Sequence, residues 1–336
     1  MTSTVVQTGS NHRSDGIDFL KGFLIVLVLI GHIVVGSLHD NWIRYPIHAF
    51  HMPLFIGLTG YLLNPKTLLN DSFIDVAIRY WWRVVVPFAP AFLLFTGVLF
   101  FHAYQESRVT TSLILSYFHT PYYHLWFIPA MVLWVLAYRL ILQFKVPLWS
   151  VVVVFLSVSF YWASCHKPDQ MAVLAPFVNK KVIYFFSFFL LGAWLKTVNF
   201  DHLNAFVNRF RWFLIAIVVA CFFVYLKEIG FQKSATRATV WLVLNIMLIV
   251  GLVPWAKLVE IKKTLVYEVL VDIGRNSLPI YLWHIAPLFF LKGFDIHQSH
   301  LLLYYFISIT ATAGIVWFVL RYESHNKLTD RLIYGN

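Results

Sequence analysis

The sequence predicts an all-α fold, a polytopic membrane bundle of about ten transmembrane helices, and three observations carry that expectation. Of the 336 residues, 60% are hydrophobic and only 12% charged, whereas a soluble domain is typically about a quarter charged. The apolar residues gather in runs long enough to cross a hydrocarbon core, which takes roughly 20 residues per helix. Within the runs the pattern is apolar all round, as in VVVVFLSVSFYW, not the alternation of a membrane barrel strand.

Residues 1–16 are polar, and the run that follows carries Asp18 and Lys21 without a small-residue cleavage motif. It therefore reads as a retained first span and not as a signal peptide. A hydropathy window of about 19 residues finds apolar runs near 17–36, 48–63, 84–103, 124–143, 147–165, 182–198, 212–230, 239–259, 278–293 and 301–320. The second run has Pro53 in its first turns, where the missing N–H costs little. The third opens from RYWWRVVVP, and the ninth follows a helix boundary at Asn276, Ser277 and Pro279. The N-terminus, the even-numbered loops and the C-terminus hold more of the 26 Lys and Arg than the odd-numbered loops do. By the positive-inside bias both termini face the cytoplasm. This organises the chain as a cytoplasmic segment 1–16, a transmembrane domain 17–322 and a cytoplasmic tail 323–336.

The formal net charge of +11 is accordingly read as membrane topology, with no nucleic acid among the partners. The two cysteines, Cys165 and Cys221, lie in or beside separate apolar runs, so neither a metal site nor a disulfide framework is indicated.

Ionisable side chains within a span cost several kcal/mol even on insertion-based scales (about 2.5–3.5 for Lys or Asp), so each needs a reason. At 100° per residue Lys21 and His32 lie within about 20° of one another, about 16 Å apart along the axis, and Asp18 stands about 60° from Lys21 on the same side as His32. One stripe of the first span thus carries a cation near its cytoplasmic end and an imidazole in its outer half. The plainer alternative is an Asp18–Lys21 ion pair at the membrane edge and a His32 that hydrogen-bonds a neighbouring helix. His51 in FHMPLF reaches the same depth on the second span, as a cavity partner of His32 or as an interfacial histidine. His124 and Trp126 in HLWFIP have the same geometry on the fourth, where an aromatic belt is the default. Arg79 and Arg83 stand four apart at the start of the third span, suited to an anionic group or to anchoring by snorkelling. In DIGRNSLPIYLWH, Asp272, Arg275, Asn276 and Ser277 precede the ninth span and His284 lies within it, a site candidate by its depth.

Six segments in this order, IDFLKGFLIVLVLIGH, HAFHMPLFIGLTGYLL, RYWWRVVVPF, HLWFIPA, FFSFFLLGAWL and DIGRNSLPIYLWH, resemble the integral-membrane acyltransferase 3 family from about residue 14 to 322. Lys21 and His32 match that family's basic residue, ten residues, histidine signature, with Lys in place of the commoner Arg. The resemblance implies a bacterial inner-membrane O-acyltransferase that moves an acyl group, most often acetyl from cytoplasmic acetyl-CoA, to a hydroxyl of a glycan or lipid-linked sugar. In that scheme Arg79, Arg83 and Arg275 face the nucleotide end of the donor, since arginine forks match phosphate. His32 acts as general base or as a covalent acyl relay, and His51, Lys21 and Asp18 support it. His124, Trp126, Asn276, Ser277 and His284 are the residues placed at the acceptor. Some members carry an appended esterase-like domain; here such a partner, if needed, would be a separate polypeptide. The rival class is a transporter or channel for a polar or anionic solute. Transporters commonly show two related halves, and the Lys21–His32 stripe has no second copy in the sequence.

Overall fold

The computed structural model describes residues 14–37, 41–119, 121, 124–164, 180–227, 234–258, 263–293, 296–322 and 327–335. Residues 1–13, Cys165, most of the basic loop 166–181 and part of the tail 323–336 lie outside the described residues.

All regular structure among the described residues is helical. In chain order it comprises α1 (Asp15–Ile33), α2 (Arg44–Leu62), α3 (Pro65–Asn70), α4 (Phe73–Tyr80), α5 (Val86–Gln105), α6 (Thr111–His119), α7 (Phe127–Gln143), α8 (Leu148–Ser164) and α9 (Lys180–Thr197). There follow α10 (Phe200–Lys227), α11 (Ala235–Leu258), α12 (Leu265–Arg275), α13 (Ser277–Trp283), α14 (Ala286–Gly293), α15 (Ile296–Ser299), α16 (Leu301–Arg321) and α17 (Lys327–Ile333). Among the described residues each of the ten apolar runs lies mostly on helix, the ninth divided into α13 and α14. Among the described residues, five helical stretches are long and apolar enough to cross a membrane: Asp15–Ile33, Phe73–Gln105, Phe200–Lys227, Ala235–Lys257 and Leu301–Arg321. Phe127–Gln143, Leu148–Ser164 and Ser277–Leu291 are shorter apolar helices. The chain is a multi-pass membrane protein.

Lipid is as apolar as leucine, so helices associate through close packing and interhelical hydrogen bonds. Two antiparallel contacts show how. On α1 and α12, a Cβ at Gly22 would strike the Leu270 carbonyl and one at Gly274 the Asp18 carbonyl. On α2 and α9, Gly60 lies against the Phe189 carbonyl and Gly192 against that of Gly57. Between these pairs α11 fits against α2. Pro53 offers no N–H to the Ala49 carbonyl. Asn245 of α11 supplies the donor, its Nδ2 2.9 Å from Ala49 O and 2.8 Å from Trp241 O. Arg44, buried at the start of α2, donates from Nε to Gly31 O at 3.0 Å and from its guanidinium to Gly36 O, which ties α2 to the C-terminal end of α1.

Helices α4 and α5 are joined through a π-helical turn, Trp81–Val85, in which Val86 N–H bonds Trp81 O. Pro87 has no N–H for the Arg83 carbonyl, and the register loosens by one residue just before it. Arg331 of α17 covers Trp82 at 5.0 Å.

Gly192→Ala should lower stability in detergent by about 1–3 kcal/mol, the usual cost of overpacking, because its methyl meets backbone that cannot yield. Gly97→Ala, where nothing lies within 4 Å of the added Cβ, should leave the melting temperature unchanged. Equal melting temperatures for both variants would remove the glycine contacts as the reason that α2 and α9 meet.

Candidate active site

Four chain segments bring five histidines together. His32 comes from the last turn of α1, and His48 and His51, i and i+3, from one face of α2. His124 comes from the segment before α7, and His284 from the end of α13. Their rings form a continuous series: His51 to His48 at 4.7 Å between centroids, His48 to His32 at 6.5 Å, His32 to His284 at 5.2 Å and His284 to His124 at 5.2 Å. His51, His124 and His284 are buried, while His32 and His48 are half-buried. Among the described residues no group of His, Cys, Asp and Glu is disposed to hold a metal ion.

Backbone carbonyls set several of the tautomers, because a carbonyl only accepts. His51 donates from Nδ1 to Ile47 O at 2.7 Å, and His284 donates from Nδ1 to Tyr281 O at 2.8 Å. In the neutral imidazole each Nε2 is then left with its lone pair, and that of His284 has no hydrogen-bond partner among the described residues. His124 donates from Nε2 to Leu282 O at 3.3 Å, and the Tyr281 hydroxyl donates to the His124 carbonyl. The segment before α7 is thus stitched to α13 in both directions.

A cavity of about 210 Å³ opens beside this series, lined by Val28, His32, His48, His51, Met52, His124, Trp126, Lys181, Phe185 and Tyr281. Lys181 Nζ stands 5.2 Å over the Trp126 ring, and Trp126 stacks on Phe185 at 5.4 Å. A second cavity, of about 240 Å³, lies toward the other end of the stripe and takes in Lys21, Phe55, Thr59, Tyr80, Arg83, Phe127, Ser277 and Tyr281. Its mouth is basic and its wall apolar and aromatic. Helix α1 lines both cavities, through Lys21 and through Val28 and His32. Helix α2 does the same through Thr59 and Phe55, then Met52 and the histidines.

The charged residues at the Lys21 end divide their partners. Asp18, with its side chain 3% exposed, receives Lys21 Nζ at 3.4 Å and Arg275 Nε at 3.8 Å. Arg275 also meets Asp15 at 2.7 Å and Asp272 at 3.4 Å, so three carboxylates surround it. Arg79 is paired with Asp71, while Arg83 makes no ion pair among the described residues and lines the cavity. Although four residues apart, the two have different surroundings: Arg79 stands in the last turn of α4 beside Asp71, whereas Arg83 stands within the π-helical turn and borders the cavity. Asn276 donates from Nδ2 to Asp272 O at 3.0 Å, whereas Ser277 lines the cavity. His48, Lys181 and Tyr281 are site-lining residues that the sequence reading did not single out. The spacing of His48 and His51 on one helical face was a signal for the first; the others come from chain segments far apart.

This arrangement, apolar throughout the bundle with a basic mouth at one end and imidazoles at the other, occurs in a chain that matches the acyltransferase 3 family, described as an acyltransferase domain, over residues 14–321. The chain belongs to this family. It is also similar to curated proteins named Nodulation protein NolL. It is 26% identical to the one from Mesorhizobium japonicum over 231 residues, 65% of this chain and 57% of that protein. It is 37% identical to the one from Sinorhizobium fredii over 108 residues, 27% of this chain and 29% of that protein. An amino-acid racemase of Enterococcus faecalis is 24% identical over 140 residues, 39% of this chain and 20% of that protein. The chain thus spans little more than half the length of the curated relatives it matches, and less in two of the three. No solved structure matches it.

Asp18→Asn should leave Lys21 and Arg275 without the carboxylate between them and lower the stability of the purified protein by about 1–3 kcal/mol, the range for a buried polar partner removed. Glu268→Gln, on the exposed face of the same α12, is the control and should cost nothing measurable. Asp18→Asn melting as wild type would mean that Lys21 and Arg275 are held by other contacts.

Proposed function

We propose that this protein is a membrane O-acyltransferase that carries an acyl group, most simply acetyl, from a cytoplasmic CoA thioester to a hydroxyl of a glycan or lipid-linked sugar on the other side of the bilayer of a bacterial inner membrane. Family membership supports the acyl transfer. The observation that carries the mechanism is the stripe of α1, which leads from the basic mouth at Lys21 and Arg83 to the histidine series at His32.

The residues at the mouth fit an anionic donor. Arg83 and Lys21 supply charge and Tyr80 a hydroxyl, while the apolar wall of Phe55 and Phe127 suits an uncharged arm and an acyl group. Arg79 and Arg275, already opposite carboxylates, act less directly: Arg275 and Asp18 hold Lys21 in place. With both termini cytoplasmic, the mouth opens inward and the histidines lie toward the outer leaflet.

At the other end His32 takes the proton of the acceptor hydroxyl as its oxygen attacks the thioester carbonyl. The carbon–sulfur bond breaks, and the departing thiolate recovers a proton from the imidazolium. His284 and His51, each with Nδ1 committed to a carbonyl, present Nε2 as proton acceptors beside it. His48, His124, Trp126 and Lys181 line the acceptor side, with Trp126 and Phe185 as aromatic faces for a sugar ring. Ser277 lies with the donor cavity and Asn276 fixes the start of α13. No metal is required in this scheme.

His32→Ala should reduce acyl incorporation by about 10²–10⁴, the value of general-base assistance, in membranes containing as much protein as wild type. Retention of activity within threefold would remove His32 from the chemistry. Arg83→Ala should raise the apparent constant for acetyl-CoA about tenfold or more, as loss of a charge-assisted contact does, and Arg79→Ala should raise it less. Unchanged acetyl-CoA affinity in Arg83→Ala, read by direct binding, would make this arginine a membrane anchor.

A further inference from the structure

The two cavities share one residue among those that line them. Tyr281 borders the basic cavity together with Lys21 and Arg83, and it borders the histidine cavity together with His32 and His124. Its ring is fixed on three sides. It meets Phe127 edge-on at 5.7 Å between centroids and His124 at 5.6 Å, and its hydroxyl donates to the His124 carbonyl. The residue is 5% exposed, so swinging the ring away would leave a polar group unsatisfied within the bundle, a costly step. Tyr281 therefore stands, as a ring that does not readily move, where the Lys21 cavity adjoins the His32 cavity.

We propose that Tyr281 limits the length of acyl group that the protein transfers: the ring narrows the junction of the two cavities, so that a two-carbon acyl group clears its edge and a longer one is hindered. The inference rests on the acyl-transfer reading above and adds to it a specificity-determining residue. Discrimination arises because each added methylene must either displace the ring, breaking the hydroxyl's bond to the His124 carbonyl, or hold the thioester carbonyl away from His32. A single methylene refused by a shaped apolar pocket is worth roughly 10–200-fold in rate. Removing the ring joins the two cavities and relaxes that limit, whereas removing the hydroxyl alone leaves the obstruction in place.

The test compares acyl-labelled acetyl-CoA and butyryl-CoA as donors in membranes containing the full chain, counting label transferred to the glycan and lipid fractions above that in His32→Ala membranes. Wild type should favour acetyl over butyryl. Tyr281→Ala should raise the butyryl-to-acetyl ratio at least tenfold, and Tyr281→Phe should keep the wild-type ratio within about twofold. Tyr281→Leu, which packs more fully than alanine but lacks the ring's reach, serves as a second open variant and should shift the ratio in the same direction. Acetyl transfer persisting in Tyr281→Ala or Tyr281→Leu with an unchanged ratio overturns the length limit and leaves the acyltransferase reading standing. So does a wild type that uses both donors equally. Loss of all transfer in both open variants, at wild-type protein levels, also overturns it, because Tyr281 would then serve the transfer step itself. Neither label transferred by wild type above the His32→Ala background overturns the acyl-transfer reading and the limit with it.

Discussion

A carboxylate taken almost wholly out of water at the end of a membrane helix is costly unless cations hold it. Asp18, 2% exposed, has Lys21 on its own helix and Arg275 from α12. That group orients Lys21 along the stripe toward the cavity, and it draws the end of α12 onto α1 where Gly22 and Gly274 already allow the two backbones to touch. Because α13 follows α12 directly, the same contact fixes where α13 begins. It therefore fixes the depth at which Tyr281 and His284 arrive beside His32. The charge network at one end of the bundle and the imidazole series at the other are two consequences of one helix pairing.

The histidine end is built by a different device. Arg44 joins the start of α2 to the carbonyls at the end of α1, and Asn245 satisfies the carbonyl that Pro53 abandons. A proline near the site therefore leaves no buried acceptor without a donor. His48, beside His32, and His51, beside His48, lie on α2 between these two ties. Committing Nδ1 of His51 and of His284 to backbone carbonyls leaves Nε2 of each neutral ring with its lone pair, as a proton acceptor needs. Rigid backbone does this work without recruiting carboxylates, which would be expensive at that depth.

Much of this was legible in the chain. Among the described residues the apolar runs lie mostly on helix, because helices satisfy their own backbone in lipid and leave a strong hydropathy signal. The Lys21–His32 stripe needed only the geometry of a single helix, and six ordered segments were enough to point to the family. What could not be read came from pairings between distant segments. Two of the three carboxylates around Arg275, Asp15 and Asp18, come from the first helix at the other end of the chain, and Arg83 stands in a π-helical turn before Pro87 that a straight-helix projection misses. Tyr281 looked like one more aromatic residue in an aromatic-rich membrane protein; its place between two cavities appears only once α13 is docked against the segment before α7. His48 is the instructive case: the i, i+3 relation to His51 was visible in HAFHMPLF, yet it gains meaning only when α1 sets His32 opposite.

The central claim is that one helix bundle carries a donor cavity opening to the cytoplasm and a histidine cavity opening to the other side, with α2 lining both. Single cysteines at Thr59 and Met52, introduced after replacing Cys165 and Cys221, probe the two cavities on the same helix. A small membrane-impermeant thiosulfonate applied to sealed vesicles of either orientation should label Thr59→Cys only from the cytoplasmic face, with acetyl-CoA protecting it, and Met52→Cys only from the opposite face. Labelling of both positions from one face, or protection by acetyl-CoA of Met52→Cys and not of Thr59→Cys, would contradict the account.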